Sequence, residues 1–136
     1  MLKRSLTIFL FCVALSGQAQ ELILNVENLK NQEGQLIITL FANAQDFLKK
    51  PVYERYVSLD DLNQRQLILA DVPKGEYALC IVHDQNQNGD IDTNFLKIPK
   101  ESYGFSHNPK SKFGPPPFDR AKFAFYGKTE LTVLLN

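Results

Sequence analysis

The chain has 136 residues, with 15 Lys and Arg against 15 Asp and Glu, and 44% of its residues are hydrophobic. That balance gives a phosphate backbone no basic surface to bind, which argues against nucleic acid as a partner. No apolar stretch reaches the roughly 20 residues that span a bilayer as a helix.

Lys3 and Arg4 precede an apolar run from Leu6 to Leu15, and the small residues Ser16, Gly17 and Ala19 follow. This is the pattern of a secretory signal peptide. Cleavage is expected after Ala19, so residues 1–19 form the signal and residues 20–136 form one domain of 117 residues. That domain carries 13 basic against 15 acidic residues, a formal charge of −2. The expected location is periplasmic or secreted, with no membrane insertion after cleavage. Of the two cysteines Cys80 remains, which leaves no intramolecular disulfide. It sits in an apolar run and reads as a buried, inert thiol.

The first strand is marked by Leu22, Leu24 and Val26, which alternate with polar neighbours, and Asn28 to Gly34 reads as a hairpin loop. Gln35 to Ala42 is apolar on both faces, as a central strand requires. Asn43 or Asp46 caps an expected helical turn that Pro51 stops. Tyr53 to Leu59 reads as an edge strand and Gln64 to Ala70 as a further strand, ending in the turn Asp71-Val72-Pro73-Lys74-Gly75. Tyr77 to His83 is the strongest strand, apolar on both faces. Ala121 to Tyr126 and Thr129 to Leu135 read as a closing hairpin around Gly127-Lys128. The predicted fold is all-β, an antiparallel sandwich of about seven strands of prealbumin or immunoglobulin type, with one long ordered loop. That loop, Asp84 to Arg120, shows no strand or helix of useful length, and loops beyond about 15 residues are uncommon unless functional or disordered. Its aromatic residues give it enough apolar surface to pack.

The loop opens with Asp84-Gln85-Asn86-Gln87-Asn88-Gly89-Asp90-Ile91-Asp92. Side-chain oxygens fall at positions 1, 3, 5 and 9 and glycine at 6, the spacing that wraps a backbone around calcium. Asp84, Asn86, Asn88 and Asp92 are the expected side-chain ligands, with the Asp90 carbonyl as the main-chain one. Position 12, where a calcium loop supplies a bidentate acid, is Phe95; Glu101 is the next acid along the chain and is expected to replace it. Calcium affinity is then weak, on the order of 10⁻⁴ to 10⁻³ M. A metal-free reading competes, in which the Asn and Asp side chains cap their own backbone. An enzyme or transition-metal site using His83, Asp84 and His107 is a further alternative, although Ser106-His107 has no nucleophile-elbow context. Tyr103, Phe105, Phe113 and Phe118 are the candidate binding surface for a peptide, a carbohydrate or another envelope protein, with local packing of the loop as the competing reading.

Four motifs in succession carry a resemblance: Asp71-Val72-Pro73-Lys74-Gly75-Glu76-Tyr77-Ala78, the His83-Asp84 loop, Ile98-Pro99-Lys100-Glu101-Ser102-Tyr103-Gly104-Phe105-Ser106, and Gly114-Pro115-Pro116-Pro117-Phe118-Asp119. Together they resemble the exported bacterial proteins grouped as the domain of unknown function 2141 family. The resemblance implies an exported protein and assigns it no activity. More distantly, the Asp71 to Tyr77 turn is similar to prealbumin-type sandwiches, and the aspartate loop to calcium loops in B-type repeats of Gram-positive adhesins, from which Phe95 departs. The expected function is a non-enzymatic module that binds calcium weakly through the Asp84-Asp92 loop and presents residues 84–120 to a partner.

Overall fold

The computed structural model describes residues 19–62, 65–90 and 100–136. Strands form where apolar residues alternate: β1 (Leu22–Glu27), β2 (Gln35–Phe41), β3 (Tyr53–Ser58), β4 (Gln66–Leu69), β5 (Gly75–Asp84), β6 (Tyr103–Phe105), β7 (Phe123–Phe125) and β8 (Thr129–Leu134). A 3-10 turn at Leu59–Asp61 and the four-residue helix α1 (Phe118–Ala121) are the helical content of the described residues. The architecture is an all-β sandwich. One sheet has the order β4-β1-β8, and the other the order β3-β2-β5-β6 with β7 also on β5.

Between the sheets lie Leu22, Leu24 and Val26 of β1, Leu36, Ile38 and Leu40 of β2, and Leu79 and Ile81 of β5, closed by Leu69, Phe125 and Val133. Each fully buried aliphatic side chain contributes about 1.5 to 3 kcal/mol relative to exposure, so this layer dominates the stability. The other face of the large sheet is covered too. Ile37, Phe41, Ala78, Cys80, Val82 and Phe105 form a second apolar cluster with Phe118 and Ala121 of α1. Phe47 caps it, with its ring centroid 5.4 Å from Phe41 and 5.8 Å from Phe118. Two apolar faces on one strand therefore mean two cores for β2 and β5.

Several connections differ from the sequence expectation. The sandwich has eight described strands, and it is not wholly antiparallel: β1 pairs β8 in parallel, from Leu22 opposite Thr129 to Glu27 opposite Leu134. β7 and β8 are no hairpin, because β7 pairs β5 while β8 joins the other sheet. Nor do β1 and β2 pair across Asn28 to Gly34; they lie in different sheets. Alternation reports which face of a strand is buried, not which neighbour it bonds. The segment at Asn43 is a run of turns too short to count as a helix, capped as expected by Asn43, whose Oδ1 accepts from Asp46 N at 2.9 Å, with Lys50 N donating to Asp46 O at 2.9 Å just before Pro51. β6 was hidden in the long loop because three residues carry no period.

Two side chains complete ladders that backbone leaves open. Ser106 lies between β6 and β7 on the same edge of β5, where Leu79 N donates to its Oγ at 3.0 Å and its Oγ–H donates to the Ala121 carbonyl. Asn108 acts on β8 as a missing strand would: its Nδ2 donates to Thr132 O and its Oδ1 accepts from Leu134 N, both at 2.8 Å.

Candidate functional site: the Asp84 loop and the adjoining cleft

β5 runs through the middle of the large sheet and ends at Asp84. Alternation sends His83 to the inner face and Asp84 to the outer one. Asp84 is fully buried. Its Oδ2 accepts from Gln35 Nε2 at 2.8 Å and from Gly89 N at 2.9 Å, and its Oδ1 accepts from Asn88 N at 3.3 Å. A carboxylate offers about four acceptor positions, so three donors leave one. Gln35 is in place because it pairs directly with Asp84 across β2 and β5.

The turn after Asp84 is a ladder of side-chain caps. Asn86 Oδ1 accepts from Asn88 N at 3.2 Å, and Asn88 Oδ1 accepts from Asp90 N at 3.0 Å. Gly89 takes the left-handed conformation, φ +79°, that the sharp turn at position 6 demands. Glu101 reaches the same turn from across the long loop: it is 8% exposed, and its Oε1 accepts from Gln85 N at 3.1 Å. Asp84, Asn86, Asn88, Asp90 and Glu101 are thus gathered at one end of the sheet, while Asp92 and Phe95 lie outside the described residues.

Gly34 lets the loop begin where it does. A Cβ on it would meet the Asp84 carbonyl oxygen at 2.2 Å, and its φ is +83°. Chain reversal from β1 to β2 and the start of the aspartate loop are therefore in direct backbone contact.

The histidines do not converge. His83 is fully buried on the inner face, and its Nε2–H donates to the Glu33 carbonyl at 2.8 Å. His107 is exposed, follows the Ser106 position beside Leu79, and faces the Phe123 ring with centroids 6.5 Å apart. Four residues of β5 separate the two levels, about 13 Å at strand rise. Among the described residues there is no group of three or more His, Cys, Asp or Glu side chains poised to hold a metal. Ser106 is buried and committed to its ladder.

The four proposed contact aromatics separate. Phe113 is 93% exposed, whereas Phe118 is 8% exposed and supports the second cluster. Tyr103 and Phe105 stand next to each other on the outer face, opposite Val82 and Cys80. They form part of a cleft of about 600 Å³ that sequence reasoning did not anticipate. Its floor is Ile37, Thr39, Phe41, Cys80 and Val82, and its walls are Leu48, Lys49 and Pro51, Gly89-Asp90 and Gly114-Pro115. The signal was present in the sequence, since both faces of β2 and β5 are apolar, but no period says what covers the outer one.

Glu54 lines the same cleft. It accepts from Tyr56 O–H at 2.8 Å, and this bond is the first cause raising the Tyr56 phenol above its ordinary value of 10.0, with burial and the charges of Glu54, Asp84 and Asp90 adding to it. Burial pushes the Cys80 thiol up to about 12.

A two-sheet β-sandwich with an oxygen-rich loop at the end of its central strand is thus the class of protein at hand. The family model described as an uncharacterised protein conserved in bacteria (DUF2141) matches residues 24–133, and the chain belongs to that family. No curated protein and no solved structure matches it.

Proposed function

We propose that the protein is an exported, non-catalytic, prealbumin-like module in which the Asp84 loop holds a calcium ion weakly and so stiffens the long 84–120 segment for a partner. The observation that carries this reading is the pair of buried carboxylates, Asp84 and Glu101, both bonded to the backbone of one turn. Among the described residues no Lys or Arg pairs with Asp84. A buried carboxylate is costly unless paired or bonded, and a divalent ion at this turn would add its charge to the three hydrogen bonds that Asp84 accepts. Asn86 and Asn88 are oxygen donors of the kind a hard cation takes, and both amide oxygens already turn toward the backbone of this loop. Glu101 supplies the acid that position 12 lacks.

The test is a melting curve with and without calcium. An affinity of 10⁻⁴ to 10⁻³ M predicts stabilisation of about 1.5 to 3 kcal/mol at about 10 mM calcium, a rise of roughly 5 to 10 °C. Glu101→Gln keeps an acceptor for Gln85 N and removes the charge, so it should abolish most of that rise while the calcium-free midpoint moves little. Asp84→Ala is a poorer probe: it takes the acceptor from Gln35 Nε2 and Gly89 N, while Asn88 N keeps Asn86 Oδ1, and should cost about 2 to 4 kcal/mol even without calcium. Equal calcium shifts in the parent and Glu101→Gln would remove Glu101 from the site.

A further inference from the structure

The turn after Asp84 holds the chain's single Asn-Gly step, Asn88-Gly89. The side-chain carbonyl of an asparagine lies within reach of the backbone nitrogen of the next residue, and attack there closes a five-membered ring without bringing in a second molecule. A side chain on the next residue crowds that nitrogen, and glycine has none. The site is also open: a Cβ on Gly89 would meet nothing beyond its chain neighbours within 4 Å, and Asn88 is exposed. Two hydrogen bonds of the turn act on the reacting atoms in opposite senses. Asp90 N–H donates to Asn88 Oδ1 at 3.0 Å, which polarises the carbonyl and stabilises the charge that grows on its oxygen during attack. Gly89 N–H donates to the buried Asp84 carboxylate at 2.9 Å, which holds the nucleophile away from that carbonyl.

We propose that Asn88 is a self-modification site, where the loop converts its own amide to an acid at a rate set by how often the Gly89 N–H leaves Asp84. Gly89 N loses its proton to solvent and bonds Asn88 Cγ. The Cγ–Nδ2 bond then breaks, and Nδ2 leaves as ammonia with a proton from water. Water opens the resulting cyclic imide: cleavage of its N–Cγ bond gives aspartate, and cleavage of its bond to the backbone carbonyl gives the β-linked isomer. The net change is amide plus water to acid plus ammonia. Position 5 of a calcium loop accepts Asp or Asn, so the aspartyl product adds an anionic ligand, whereas the β-linked one lengthens the backbone and spoils the turn. This consequence rests on the calcium reading above; the modification does not.

The purified protein is incubated in mildly alkaline buffer made with heavy-oxygen water, and peptide mapping by mass spectrometry reads the loop. Asn88 should gain the mass of an acid carrying heavy oxygen, as aspartate and its β-linked isomer, while Asn86 and Asn108 stay amides. Asn88→Gln should remain unmodified, because its ring would need six members. Asp84→Asn keeps an acceptor for Gly89 N without the charge and should speed conversion about three- to tenfold, the weight of weakening one charge-assisted hydrogen bond. Hydrogen exchange at the Gly89 amide reads the opening directly, so conversion should follow it from parent to variant even where the variant loosens the fold. Conversion in the urea-unfolded chain with none in the folded protein would overturn the site. Conversion that fails to follow Gly89 exchange would overturn the restraint by Asp84. Asn88→Asp should show a larger calcium-dependent melting shift than the parent, and an equal shift would remove the consequence for the metal. Conversion with no calcium shift in either protein would sink the calcium reading alone; a calcium shift in the parent with no conversion would sink the modification alone.

Discussion

Cys80 illustrates how a single side chain reports its surroundings. It is 3% exposed on the outer face of β5, and burial alone holds its thiol up at about 12. The folded form therefore keeps a proton that the unfolded chain gives up near 9.0. This contribution to stability is fully present below the unfolded value and is lost as pH rises through the folded one. Tyr53, raised first by burial and then by its bond to Asp71, and Tyr56 act in the same direction from 10.0 upward. Urea midpoints should fall steadily from about pH 9 toward pH 12, and Cys80→Val should flatten the lower part of that slope. Iodoacetamide should leave the native thiol unmodified at pH 8, where an exposed thiol with its ordinary value of 9.0 is about one-tenth thiolate and would be alkylated through that form. Rapid alkylation of the folded protein would show that the outer core opens far more readily than its packing implies.

At the scale of elements, Gly34 fixes the spatial relation between the β1–β2 connection and the aspartate loop. Gly34→Ala would force a Cβ into the Asp84 carbonyl at a positive φ, a combination expected to cost about 2 to 4 kcal/mol. Denaturant unfolding checks the cost. Loss of the calcium-dependent melting shift in the same variant would show that the glycine also sets the loop's geometry. A neutral effect would mean that the two backbones separate easily. The strands themselves were legible from residues such as Leu22, Leu24 and Val26, because burying one face imposes a period of two. So was the turn at Gly89, where a sharp reversal needs a positive φ. What was not legible is pairing between distant strands and the fate of the second apolar face. The parallel partnership of β1 with β8 leaves no local mark, and Phe105 and Phe118 look alike in sequence whether they display or support. Glu101 is legible as the next acid along the chain, but what brings its carboxylate to Gln85 N is its place just before β6, a strand too short to show a period.

For the whole molecule, order of pairing matters as much as packing. Asn25 of β1 bonds Glu130 of β8 from 105 positions away, and the C-terminal backbone also ties into β6 through Asn136 N and Tyr103 O at 3.0 Å. Contacts this remote must be closed against chain entropy before they return anything, so refolding should be slow for a domain of this size, in the millisecond to second range. With no tryptophan and five tyrosines, stopped-flow tyrosine fluorescence is the natural probe. Completion in microseconds would contradict the topology. A chain ending at Lys128 should show no cooperative transition.

The parallel pairing of β1 with β8 also sets a timetable. A chain delivered in sequence order, from a ribosome or through a pore, presents Leu22, Leu24 and Val26 first and their covering strand last. For nearly the whole of its emergence the apolar edge of β1 stays open to any chain-binding chaperone or protease that meets it. The domain is sealed when Thr129 to Leu134 arrives, so a stop codon upstream of Thr129 would yield no shortened domain, only an open chain.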